Sequence, residues 1–152
     1  MSVAGLITEE EYEYAERAGS ASPYYWGADA GKACQYENTN DKSHSRAFKV
    51  EEGNICDDGY AVTSPVGKFK RNAFGLYDMD GNVESWVQDC EHLNYKGAPT
   101  DGGAWLGESK QCDFRMLRGG SWAFPVARSA ERSATLYTWL STEIGFRIAK
   151  SL

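Results

Sequence analysis

Residues 118–152 read RGGSWAFPVARSAERSATLYTWLSTEIGFRIAKSL. The stretch opens on a Gly-Gly turn signal and closes on IGFRIA, where Ile144, Phe146 and Ile148 alternate with Gly145, Arg147 and Ala149 as in a strand. Between these rigid brackets lies ATLYTWLSTE (134–143), which has neither a helical face nor clean alternation, yet carries Leu136, Tyr137, Trp139 and Leu140. A loop seldom exposes so much apolar surface without use. Tyr and Trp offer large contact area at modest entropic cost, with a polar atom for hydrogen bonding, so they anchor binding surfaces. Two readings stand at this point: a binding face held by its flanks, or aromatic filling of the core.

Working outward, the earlier chain is cut into short apolar pieces by SASPYYWG, DDGY, MDGN and TDGG, which are turn chemistry: Gly accepts positive φ and Asx side chains bond nearby backbone. The spacing of Thr8 and Glu11 predicts a capping box opening a short amphipathic helix that Gly19 can end. Tyr12 with Ala15, and Tyr14 with Ala18, are expected to pack against the core. AVTSPV (61–66) and IGFRIA are expected as brief strands. No repeat of solenoid or propeller period is visible. The pattern predicts one loop-rich α+β domain over residues 1–152.

Composition narrows the function classes. The 152 residues are 41% apolar and 13% aromatic, enough for a core, and the net charge of −6 comes without a Lys/Arg run, which speaks against nucleic acid or an anionic membrane as the main partner. No segment approaches the roughly 18 apolar residues of a membrane span. The start, MSVAGLITEEEYEYAER, lacks a basic n-region and an apolar h-region, so Sec export is not expected. Cys34, Cys56, Cys90 and Cys112 never form CxxC, which disfavours zinc and thioredoxin-like chemistry and leaves two local disulfides or four thiols. If oxidised, Cys34–Cys56 and Cys90–Cys112 are expected, because each pair brackets one turn-rich insertion. His44 and His92 lie in polar stretches without ligand spacing and read as solvated surface histidines, and no nucleophile elbow supports Ser-His-Asp chemistry.

In this order, YYWG, CDDGYAVTSPVG, NAFGLYDMDGNV, LRGGSW and GFRIA resemble the formylglycine-generating-enzyme (sulfatase-modifying factor) family over nearly the whole chain. The resemblance implies a C-type-lectin-like fold, rich in irregular structure around a small twisted antiparallel sheet. The family's sulfatase-activating members bind copper through two cysteines shortly after the GGS motif, since soft thiolates suit Cu(I). Here Ser121 is followed by Trp122, Ala123, Phe124, Pro125 and Val126, and no cysteine occurs after Cys112. The histidine-ligated iron of a related branch has no counterpart either, so neither copper nor iron is expected.

Within the family, the closing segment is most like the variable proteins of diversity-generating retroelements, prokaryotic or viral systems in which adenine-directed mutagenesis rewrites chosen codons. On that likeness the variable region spans about residues 118–147. Ala127, Arg128, Ser129, Ala130 and Arg132 resemble the fixed scaffold, whereas Ala123, Phe124, Val126, Glu131, Thr135, Leu136, Tyr137, Trp139, Leu140 and Thr142 resemble the variable slots. Pro125, Ala134, Thr138, Ser141 and Glu143 match either class less clearly.

The resemblance also implies a calcium site built from the Asn38 side chain, the Thr39 carbonyl, the Asp58 side chain and the Tyr60 carbonyl, hard oxygen ligands suited to Ca²⁺. A second family site draws on a GNxWEW segment, which here reads Gly81, Asn82, Val83, Glu84, Ser85, Trp86. Ser85 stands where the family has Glu and Glu84 where it has Trp. The expected function is noncatalytic binding of a macromolecular or surface ligand through the variable face, a role compatible with display on a virion or cell surface. The alternative is a formylglycine-generating-type oxidase or a degenerate enzyme of that family.

Overall fold

Thr8 sets the first helix. Its hydroxyl accepts from the Glu11 amide at 3.1 Å while the Glu11 carboxylate accepts from the Thr8 amide at 2.9 Å, the reciprocal capping box that the spacing predicts. The structure, a computed structural model, describes residues 4–51, 53, 56–107 and 112–150. Strand β1 (Ala4–Leu6) precedes this helix, α1 (Glu9–Arg17), and a 3₁₀ turn (Ala30–Gln35) and α2 (Lys42–Phe48) follow it. Strands β2 (Glu84–Cys90), β3 (Phe114–Arg118), β4 (Ser133–Leu136), β5 (Ile144–Phe146) and β6 (Ile148–Lys150) come after a long irregular stretch.

α1 stops where Ala18 and Gly19 both take positive φ, 46° and 90°. Its inner face buries Tyr12 with Ile7, Met79, Val87 and Met116, and Ala15 packs against this cluster. The Tyr12 hydroxyl donates to the Met79 carbonyl, so the phenol's polar end is satisfied inside the core. Tyr14, two positions on, points away from the core, is exposed and meets the Phe74 ring with centroids 5.4 Å apart. Only the first of the two expected Tyr–Ala pairs is therefore core packing.

The larger sheet runs β4-β3-β2-β5. β3 lies antiparallel to both β2 and β4, with Trp86 opposite Leu117 and Leu117 opposite Ser133. β5 lies parallel to β2, with Glu84 opposite Ile144, so one pair of this small sheet departs from the antiparallel arrangement. β1 and β6 form a separate antiparallel pair.

IGFRIA is thus two strands rather than one. Arg147 breaks it, because its guanidinium reaches back to the carbonyls of Tyr77, at 2.8 Å, and Asp78. Phe146 and Ile148 are exposed despite their alternation. AVTSPV forms no strand: the Val62 carbonyl accepts from the Asn38 amide at 2.8 Å and the Ser64 amide donates to Asn82 Oδ1 at 2.8 Å, so side-chain amides take the place of a neighbouring strand.

α2 carries no apolar periodicity and is defined by its cap. Asp41 accepts from the Ser43 and His44 amides at 2.7 and 3.1 Å. His44 is buried, with Nδ1 3.1 Å from the Ala61 carbonyl and its ring packed against Phe48 and Trp122, which corrects the expectation of a solvated histidine. His92 is half-buried and stacks on Trp105. The cysteines form Cys34–Cys56 and Cys90–Cys112, each closing a separation of 22 residues.

Candidate functional site

Arg118 ends β3 with its guanidinium fully buried. It donates to Glu13 at 2.6 Å and to the carbonyls of Ser129 at 2.7 Å and Glu131 at 2.6 Å, with Glu9 at 3.6 Å. Arg132 completes the tie by binding Glu9 through Nε at 2.5 Å and Nη2 at 2.8 Å. Burial raises the Glu9 carboxyl, but the Arg132 hydrogen bond, both guanidinium charges and the Tyr95 hydroxyl outweigh it, and the group sits below its ordinary pKa. These basic residues fasten residues 128–132 onto α1.

The front of the segment is pinned from the other side. Gly119 has φ 93°, and a Cβ there would collide with the Tyr12 hydroxyl and the Met79 carbonyl, so only glycine fits. The Gly81 amide donates to the Gly119 carbonyl at 2.6 Å and the Trp122 amide to the Asn82 carbonyl at 3.1 Å. The Phe124 carbonyl accepts from the Asn40 amide at 2.9 Å and from the Thr39 hydroxyl at 2.8 Å.

Between these two anchorages lies a cavity of about 290 Å³, near the lower size limit of small-ligand sites. Phe124, Pro125, Ala134, Trp139 and Ile144 supply apolar wall, and Glu84, Glu131 and Glu143 supply three carboxylates. Burial raises the Glu84 carboxyl, the negative charges of Glu143 and Glu131 add to the effect, and the Ser133 hydroxyl bond opposes it. Among the described residues none of these three carboxylates has an ion-pair partner.

Of the ten positions expected to be variable slots, none is buried. Phe124, Glu131, Leu136, Tyr137, Trp139, Leu140 and Thr142 are exposed and Ala123, Val126 and Thr135 half-buried. The interleaved Ala127 and Ser129 are buried. The cavity gathers Phe124, Glu131, Thr135 and Trp139. Tyr137 instead lines a separate cleft with Cys112, Asp113 and Arg115, and neither Leu140, 93% exposed, nor Val126 lines the cavity, so the ten do not form one concave patch. Nothing local in the sequence marks Glu84 as a wall residue. Its only signal was an acid where the family carries Trp.

The four expected calcium ligands lie in two loops that meet. Asp58 accepts from the Thr39 amide at 3.1 Å and the Tyr60 amide at 2.7 Å. Asn38 Nδ2 donates to the Val62 carbonyl, which leaves the buried Asn38 Oδ1 without any partner. Burial, with Asp41 and Asp57 nearby, raises the Asp58 carboxyl to about 6 despite those amide bonds. An orphaned amide oxygen beside a carboxylate that has amide donors but no cationic partner among the described residues suits a hard cation, so the donor set fits Ca²⁺. Asp41 and Cys34 Sγ also approach Asp58, but that sulfur is in a disulfide and offers no thiolate.

A further group of acids lies behind Arg118. Glu16, Glu37 and Asp80 are each 1% exposed and retain carboxylate oxygens without partners. Burial lifts Glu16 to about 7 against the Ser129 hydroxyl, the Arg118 charge and an Asp80 hydrogen bond, and it holds Glu37 and Asp80 well above the carboxylate range, with the Glu16 charge adding to both.

This sheet, its irregular loops and the RGGSW turn define a domain of the formylglycine-generating type with a C-type-lectin-like fold. The chain belongs to the sulfatase-modifying factor enzyme 1-like domain family, whose model matches residues 2–152. It is 33% identical over 153 residues to the inactive C-alpha-formylglycine-generating enzyme 2 of Bos taurus, covering 95% of this chain and 43% of that protein. Formylglycine-generating enzymes themselves are also similar.

Among solved structures, PvdO from Pseudomonas aeruginosa superposes with a TM-score of 0.83 at 40% identity, over 99% of this chain and 54% of that one. Treponema denticola variable protein 1 shares the fold, with a TM-score of 0.69 at 24% identity over 95% and 46%. The chain therefore spans about half the length of these relatives. Among the described residues no helix is long and apolar enough to cross a membrane.

Proposed function

We propose that this chain is a noncatalytic ligand-binding domain whose cavity and neighbouring surface between residues 119 and 144 receive a macromolecular or surface ligand. In this reading the ten slot positions are rewritten by a diversity-generating retroelement. One observation carries it: all ten variable-slot positions retain solvent access, whereas Ala127, Ser129 and Arg118, which hold the segment, are buried. A close-packed interior registers even a methylene's change in volume, so only a surface of this kind accepts arbitrary side chains. A structural Ca²⁺ held by Asn38, Thr39, Asp58 and Tyr60 belongs to the same proposal, and would steady the loop that grips the Phe124 carbonyl.

The competing reading, a formylglycine-generating-type oxidase or a degenerate enzyme of that family, is favoured by similarity to formylglycine-generating enzymes. Against it stands the lack of any cysteine after Cys112, with all four cysteines committed to disulfides. The deciding experiment has two parts. Randomising Phe124, Glu131, Thr135 and Trp139 together should leave most variants folded and yield binders of different specificity. The source genome should hold a near-copy of the codons for residues 118 to 147, differing at adenines, beside a reverse-transcriptase gene. Mostly unfolded variants, or formylglycine formed on a cysteine peptide, would overturn the proposal.

A further inference from the structure

The cavity's chemistry specifies more than a site of contact. Three carboxylates, Glu84, Glu131 and Glu143, line a volume of about 290 Å³ shared with Trp139 and Phe124, and none has an ion-pair partner among the described residues. Their spacing is close enough that each negative charge acts on Glu84. Crowding like charges in a partly desolvated space is unfavourable unless a cation joins them. Aromatic faces add to the same preference, because the ring quadrupole attracts an ammonium or guanidinium group, Trp most of all.

Ser133, Thr135 and Ser141 add neutral polar wall. Arg118 also borders the cavity, but its side chain is fully buried and its charge is met by Glu13 at 2.6 Å and Glu9 at 3.6 Å, so the three carboxylates keep their field. The apolar wall of Pro125, Ala134 and Ile144 suits the methylene stem of a long side chain.

We infer that the cavity binds an organic cation, an ammonium or guanidinium head on an apolar stem, the chemistry of a lysine or arginine side chain in a peptide. The inference rests on the reading of this cavity as the ligand site and supplies the ligand class that the reading leaves open. It distinguishes this variant of the segment, since Glu131 and Trp139 occupy slot positions, whereas Glu84 lies in β2 and persists when the slots change.

The test uses the whole chain and four probes of matched size: the Nα-acetyl N-methylamides of lysine, arginine, norleucine and glutamate, titrated by NMR with the Trp139 indole N–H as reporter. The lysine and arginine probes should shift that resonance saturably, and Glu143→Gln should weaken them about fivefold without altering the fold. Raising NaCl from 50 to 500 mM should weaken them as well. Norleucine binding as tightly as lysine, or glutamate binding better, would overturn the cation inference while leaving a ligand site in place. No shift with any probe would also overturn it, and the tolerance of the slots to randomisation then tests the broader reading on its own. An unchanged affinity in both Glu143→Gln and Glu84→Gln would count against it equally.

Discussion

The buried guanidinium of Arg118 and the carbonyl of Ser129 meet at 2.7 Å, and this bond joins the end of a sheet strand to a segment otherwise free of regular structure until β4. Because the same guanidinium also binds Glu13 and the Glu131 carbonyl, one side chain fixes both the helix and the wall of the cavity. Replacing Arg118 with Met leaves Glu9 and Glu13 without this partner and frees two carbonyls. The expected loss is about 3–5 kcal/mol, the scale for breaking a buried pair from one side. Urea unfolding measures it, and a loss below about 1 kcal/mol would show that Arg132 alone holds the segment.

Tyr137 and Trp139 should behave oppositely to Arg118. Both are more than half exposed, so Tyr137→Ala with Trp139→Ala should cost no more than about 1 kcal/mol, where truncating a core aromatic costs about 3–5 kcal/mol. The same double variant should weaken ligand binding. Denaturant unfolding separates the cases, and a loss of several kcal/mol would make the run part of the core.

Calcium should raise the melting temperature, because a ligand bound only by the native state stabilises it by mass action, by about 2.7 kcal/mol at a hundredfold excess over Kd. Asp58→Ala should abolish the response. Calorimetry in EDTA and in millimolar Ca²⁺ checks this, and identical melting in both would refute the site.

Stability without calcium should fall as pH rises from about 4.5 towards 7. Glu16 is lifted to about 7 and Asp58 to about 6, so over that window the folded state binds more protons than the unfolded state, and stability declines with pH. It is greatest while these carboxyls stay protonated. Glu16→Gln should flatten the decline, which thermal melts in EDTA at pH 5 and pH 8 would reveal. A profile that rises between those values would contradict the buried-acid account.

Local signals were legible where one stretch of backbone satisfies itself. The Thr8–Glu11 capping box, the Gly119 turn and the two disulfides bracketing turn-rich insertions follow from adjacent or evenly spaced residues. α2 was invisible because its cap, Asp41, acts without an apolar face. AVTSPV has the composition of a strand but forms none, because its partners, Asn38 and Asn82, lie elsewhere in the sequence and replace a neighbouring strand with side-chain amides. The cavity brings Glu84 of β2 together with Glu131 and Glu143, which lie far along the chain, and no local pattern encodes that meeting. The resemblance supplied the slot positions, and the fold separated Tyr137 from Trp139.

Arg147 separates β5 from β6 by a single residue, and its guanidinium holds the Tyr77 and Asp78 carbonyls. Ile144 lines the cavity on one side of that rivet, and Ile148 pairs with Leu6 on the other. Between them run Gly145 and Phe146, laddered to Ser85 and Trp86 of β2, and then Arg147. A pull on the small β1–β6 clip therefore meets the Arg147 bonds first and the β2–β5 ladder second, so fraying of the clip is arrested before it reaches the cavity wall.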